Sequence, residues 1–201
     1  TGDVVLGATA LFALGIGKGI PLILMGTFGS GLLPRAGQWM ERVRQVFPAM
    51  RHEAVILDKR GVLGEDYKSR PVHFFNDGIP GRSFQPIQTD LGTFGTPICF
   101  DCDYSEVARK MVELGAEYFA VPSFDAESWS ATQHLQHALL FRLRAAETGR
   151  WFACAASSGV SQFIDPHGNV HKSLPPMKTG VLTQRIGRSA HTAFFLRAGW
   201  L

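Results

Sequence analysis

The sequence predicts a single α/β domain. Three observations carry this. Short apolar runs of strand length alternate with longer stretches of helical period, Gly- and Pro-containing turns separate them, and no repeat, low-complexity tract or linker interrupts the pattern. The 201 residues are enough for one domain with a substantial core. A hydrophobic content of 45% with 18% charged residues excludes a disordered or polyelectrolyte chain. Twenty basic against seventeen acidic residues leave a scattered net charge of +3, which gives no basis for nucleic acid as a partner. Three cysteines imply no disulfide framework.

Residues 4–16 form a helix candidate that is apolar nearly all round. At about thirteen residues it falls short of the roughly twenty that span a bilayer, so it reads as soluble. It has no basic segment before it, so it is not a secretory signal, and the opening at Thr1 suggests a processed, trimmed or fragmentary chain. A buried strand is expected at 21–28, ended by a Gly-rich turn. A helix at 35–47 carries Trp39, Met40, Val43 and Phe47. Strands at 52–58 and 62–68 flank Asp58-Lys59-Arg60-Gly61 as a hairpin. Residues 71–92 read mostly as loop. A strand at 95–100, a helix at 105–114 and a strand at 117–122 follow. The long helix at 127–148 is stopped by Gly149, with Trp129, Leu135, Leu139 and Leu143 as its expected core face. Strands at 151–156, with Cys154 in the core, and at 160–164 lead to the turn Asp165-Pro166-His167-Gly168, and a last strand is expected at 180–186.

The sharpest chemical signal is Thr96-Pro97-Ile98-Cys99-Phe100-Asp101-Cys102-Asp103-Tyr104-Ser105-Glu106. Here a strand delivers Cys99 to its C-terminal end, and a helix begins five or six residues later. Unpaired N–H groups at a helix start favour a thiolate and can hold an oxyanion. The plain alternative, a buried strand cysteine, stays open at this point. Cys99-x-x-Cys102 could be a redox pair, but such pairs sit at a helix start with a small residue or proline between the cysteines. His134 and His137 would complete four zinc ligands, yet only two residues lie between them, short of the usual three to five, so no metal is expected. The stretches Gly15-Ile16-Gly17-Lys18-Gly19 and 26–31 fit neither nucleotide-binding spacing and read as turns. Lys68 closes a strand before a Pro-rich loop, where an ammonium can stabilise developing negative charge. No Ser-His-Asp or Cys-His-Asn order is evident, although Asp101 and Glu106 lie close to Cys99. Glu147 is expected to pair with Arg144 or Arg150 or to cap a neighbouring element, a catalytic role being the weaker alternative. Phe194, Phe195 and Trp200 form a C-terminal apolar patch suited to the core, to an interface or to a membrane-proximal edge.

Asp58-Lys59-Arg60-Gly61 with Tyr67-Lys68, then Ile98-Cys99-Phe100-Asp101 with Tyr104-Ser105-Glu106, resemble the nitrilase, or carbon–nitrogen hydrolase, superfamily. Gly115-Ala116, Pro122-Ser123, Arg144-Ala145-Ala146-Glu147-Thr148-Gly149-Arg150, Ser158-Gly159-Val160-Ser161 and Ile164-Asp165-Pro166-His167-Gly168 continue that order and spacing. The likeness is taken to run from about Ile20 to the C-terminus. Gln133-His134-Leu135 and the ending from Thr192 to Leu201 are similar to the apolipoprotein N-acyltransferase family within that superfamily.

The resemblance implies a nitrilase-like αββα sandwich over 1–201, incomplete at its N-terminus, lacking the first strand and helix. It implies a Glu-Lys-Cys triad with Cys99 as the nucleophile that forms a thioester. Lys68 would stabilise the oxyanion together with the N–H groups after Cys99. Phe100, Asp101 and Asn76 would support the site or meet substrate. No cofactor is implied. The acyltransferase branch implies a phospholipid donor, a lipoprotein acceptor and a bacterial inner membrane with this domain on the periplasmic side. A soluble hydrolase would instead be cytoplasmic and take a small amide or nitrile. Nothing before Ile20 matches the family's Pro-Glu base, the first glutamate being Glu41, so that base is expected outside these residues. Asn76 stands where the family has a further acidic residue, Arg70 where it has histidine, and His73 where proline is usual. A third expectation, from a different class, is a non-catalytic module that keeps the fold.

Overall fold

A computed structural model describes residues 6–8, 11–13, 22–25, 53–58, 60–72, 79–189 and 193–198. One sheet contains β2 (Leu11–Ala13), β3 (Leu22–Met25), β4 (Glu53–Asp58) and β5 (Gly61–Tyr67), hydrogen-bonded in that order. The β4–β5 hairpin turns where expected. Gly61 adopts φ +127°, a conformation open to glycine, and Asp58 accepts from the backbone N–H of Arg60. A second sheet contains β6 (Ile87–Thr89), β7 (Gly92–Gly95), β8 (Tyr118–Ser123), β9 (Phe152–Ala156), β10 (Ser161–Ile164) and β11 (Val170–Leu174). Its order is β11-β10-β9-β8-β7-β6. β1 (Leu6–Ala8) pairs with β12 (Gln184–Ile186).

β7, β8 and β9 run parallel, so each join needs a crossover. The helices α1 (Ser105–Glu113) and α2 (Ala131–Thr148) supply them. α2 begins at a capping box in which Ser130 Oγ accepts from Gln133 N and Gln133 Oε1 accepts from Ser130 N. It ends at Gly149, left-handed at φ +64°. A short helix, α3 (Phe194–Ala198), follows near the end.

β8 is buried along its whole length, as a central strand covered on both faces must be. Phe119 and Val121 point one way, into a cluster with Val107, Met111, Phe141, Ala145 and Phe152 from the helices and β9. Ala120 points the other way and meets Ile56 and Ile87, where the two sheets face each other. The period-2 alternation of one strand thus joins helix, sheet and sheet into three layers.

Several expectations are corrected. The described residues within 4–16, 6–8 and 11–13, form two strands rather than a helix, because an apolar run without a polar face carries no helical period to select that state. The strand expected at 95–100 ends at Gly95; Pro97 cannot donate to a ladder, and Cys99–Asp103 forms a 3₁₀ turn. The loop expected at 71–92 contains β6, which pairs with β7. β11, rich in exposed polar residues, was not expected, nor was α3. The expected core face of α2 is also wrong. Leu135, Leu139 and Leu143 are 55%, 53% and 48% exposed, Trp129 is half-buried, and the buried face carries His134, His137, Phe141 and Arg144. The helix at 35–47 lies outside the described residues.

Candidate active site

Three strand ends converge on the site. Lys68 follows β5, Cys99 lies four residues beyond the last residue of β7, and Phe124 and Asp125 follow β8. Crevices at the carboxyl ends of strands are where open α/β sheets bind ligands. Cys99 has φ +52°, rare for a non-glycine residue and a form of strain that persists only where the surroundings enforce it. It opens the 3₁₀ turn and is 6% exposed, with its Sγ donating to Phe124 O at 3.5 Å.

Asp101 holds that turn. Its buried carboxylate accepts from Ile98 N at 3.0 Å, Ser69 N at 3.0 Å and Arg70 N at 2.7 Å. One side chain therefore ties the Cys99 turn to the two residues after Lys68, which is itself 4% exposed. Burial pushes the Asp101 carboxyl up despite those N–H donors and the Lys68 ammonium. Burial likewise pushes the Cys99 thiol up, outweighing Lys68 and Ser123, so the resting sulfur is protonated. Phe100 stacks edge-on against Tyr104, ring centres 5.4 Å apart, and packs beside Ala54, Ile98 and Cys99. Arg70 pairs with Glu106 and lies over the Tyr104 ring. These three residues, with Asp103, Ser105 and Arg144, line an open cleft of about 540 Å³. Asn76 falls outside the described residues.

Asp125 did not stand out in the sequence. Its carboxylate accepts from Ser123 Oγ at 2.7 Å and meets His137 Nδ1 at 3.0 Å, and His134 Nδ1 lies 3.6 Å away. Burial alone would raise this carboxyl, but His137, Ser123 and His134 together hold it below its ordinary value. The available signal was its place two residues after the strand-ending Ser123. Cys102 turns away from this group into the helix-side core with Val107 and Cys154. Arg144 donates to Glu147 at 2.9 Å, and Arg150 donates to Ala116 O, so both arginines brace the α2 end.

A family model described as carbon–nitrogen hydrolase matches residues 36–194. The chain belongs to the carbon–nitrogen hydrolase family. Among solved structures, a carbon–nitrogen hydrolase from Helicobacter pylori G27 aligns with TM-score 0.58 at 20% identity, covering 78% of this chain and 68% of that one. An amidase from Nesterenkonia sp. aligns with TM-score 0.57 at 16% identity, covering 88% of this chain and 79% of its own. The fold of this carbon–nitrogen hydrolase domain is therefore that of the nitrilase superfamily. The apolipoprotein N-acyltransferase of Shewanella oneidensis is 33% identical over 138 residues, 65% of this chain and 26% of that protein. The one from a Nostoc species is 36% identical over 90 residues, covering 45% and 18%. The chain thus spans about a quarter of the length, or less, of these acyltransferases.

A second model, described as a cytochrome c biogenesis protein transmembrane domain, matches residues 1–60. The thiol:disulfide interchange protein DsbD of Vibrio cholerae is 62% identical over 47 residues, 23% of this chain and 8% of that protein. This corrects the extent of the likeness. The strand at 22–25 lies before the hydrolase match at residue 36, within a stretch similar to a different family. No helix among the described residues is long and apolar enough to cross a membrane.

Proposed function

We propose that this domain transfers an acyl group through a thioester on Cys99, in the manner of the apolipoprotein N-acyltransferases it resembles. The observation that carries the reading is the strained, buried Cys99 turn, joined by Asp101 to the backbone just after Lys68. Cys99 Sγ attacks the ester carbonyl of a phospholipid, and its proton passes to the general-base glutamate that the resemblance implies. Lys68 Nζ and the Phe100 N–H hold the oxyanion. The C–O bond then breaks, a lysophospholipid leaves with the proton, and the amine of a lipoprotein's N-terminal cysteine takes the acyl group as an amide, restoring the thiol. Asp101 acts as a positioning residue, Phe100 meets substrate beside Cys99, and Asn76 is a substrate contact only as the resemblance implies. The match of residues 1–60 to a transmembrane domain supports placement at a membrane; the bacterial inner membrane, with the catalytic part on the periplasmic side, is what the acyltransferase resemblance implies.

Intact-mass measurement on the full chain in phospholipid micelles tests this. The expected result is one acyl adduct on Cys99, absent in Cys99→Ala, slowed about 10²–10³-fold in Lys68→Met, and discharged by a lipopeptide amine. An adduct formed from small amides and cleared only by water would replace the acyltransferase with a hydrolase, the activity named for the H. pylori fold neighbour. No adduct from any donor would leave a non-catalytic module.

A further inference from the structure

Acyl transfer by Cys99 and Lys68 leaves unused the polar groups packed under the thiol. Cys99 Sγ, a carboxylate oxygen of Asp125 and a ring nitrogen of His137 lie within 4.8 Å of one another, and all three residues are buried. His134 occupies the same helix face, one turn before His137, and is 1% exposed. Its Nδ1 points at Asp125 Oδ2 from 3.6 Å, too far for a hydrogen bond, and neither ring nitrogen has a hydrogen-bond partner. A buried polar atom without a partner costs about 1–3 kcal/mol, and such atoms call for an explanation. Trp129 packs 5.8 Å from the His134 ring but offers it no acceptor there.

We propose that Cys99, Asp125 and His137 form a site for a borderline-soft divalent cation of the zinc class, with His134 as the fourth ligand. One thiolate sulfur, two imidazole nitrogens and one carboxylate oxygen form a zinc-type donor set; calcium and magnesium favour oxygen ligands. In a tetrahedral zinc site, bonds of about 2.0–2.3 Å set ligand atoms roughly 3.3–3.8 Å apart. The His137–Asp125 contact of 3.0 Å is already this short, and Cys99 closes on the pair by about 1 Å or a little more; His134, 3.6 Å from Asp125 and outside that 4.8 Å group, joins by shifting toward the metal. The sequence spacing of the two histidines argued against zinc with Cys102 as partner. Folding changes the partners: residues three apart on a helix share a face, and β8 supplies Asp125 in place of Cys102. Binding displaces the Cys99 proton to solvent, and the sulfur lone pair is then committed to the metal. Given the acyl-transfer reading above, zinc is a reversible block on the nucleophile, released by a chelator.

The test uses the full chain, stripped with a chelator and titrated with zinc, with bound metal counted by plasma mass spectrometry. Cobalt substitution reads the thiolate directly through its sulfur-to-cobalt charge-transfer band. The expected result is one metal per chain with that band, both lost in Cys99→Ser and in His137→Gln, and both kept in Cys102→Ser. Circular dichroism of each variant confirms that it is folded. Failure to bind near one equivalent, or binding that survives the first two variants in folded form, overturns the site. A zinc-binding chain that never forms an acyl adduct would refute the acyl-transfer reading and leave the metal site standing; an adduct without zinc binding would do the reverse.

Discussion

At the scale of single residues, Asp101 holds the site in register. It accepts three backbone N–H groups from two separate segments, which a single amide oxygen cannot match. Asp101→Asn is expected to lower stability by about 1–3 kcal/mol. It should also slow acylation of Cys99 about 10²-fold, because Lys68 loses its fixed position. Urea denaturation and timed intact-mass measurements check both effects, and a stability loss without the rate loss would reduce Asp101 to a structural brace. Gly159 makes a sharper case. A methyl group there would collide with the Asp125 carboxylate, so Gly159→Ala must displace the partner of His137. The expected cost is about 1–3 kcal/mol, as for other overpacked sites; a variant with unchanged urea midpoint would show that the carboxylate has room to move.

At the scale of elements, α2 carries its polar chemistry inward and its leucines outward. Phe141→Ala should cost about 3–5 kcal/mol, whereas Leu139→Lys on the exposed stripe should stay within about 0.5 kcal/mol. Paired denaturation curves decide this, and the opposite ranking would restore the leucine face to the core. β5 carries a buried acid on the hairpin that ends in Lys68. Burial pushes the Asp66 carboxyl up to about 8 from 3.8, with the nearby Asp101 adding to the shift. Its protonated form belongs to the fold, so its contribution is complete below 3.8 and is lost as pH rises through about 8. The stability of the wild-type chain should therefore fall across that window more steeply than that of Asp66→Asn. Equal slopes in a pH series of denaturation curves would show that Asp66 is ionised in the native state.

At the scale of the whole molecule, two likenesses meet on one chain: a transmembrane-domain match over 1–60 and a hydrolase match over 36–194. Alkaline carbonate extraction after expression should leave the chain in the membrane pellet; full release into the supernatant would count against a membrane-held enzyme. The hairpin ending in Lys68, the helices flanking β8 and the α/β alternation were legible because local turn chemistry and periodicity set them. The apolar run at 4–16 was misread because an unbroken apolar run has no period. By itself, the sequence determined the family and its motif order, and it singled out Cys99 and Lys68 as the candidate residues for chemistry. The tertiary structure alone decided their partners: the link from Asp101 to the residues after Lys68, the choice of Asp125 over Cys102 beside His137, and the face α2 turns inward. Those contacts join segments up to about thirty residues apart, and only the packing of strand ends brings such segments together.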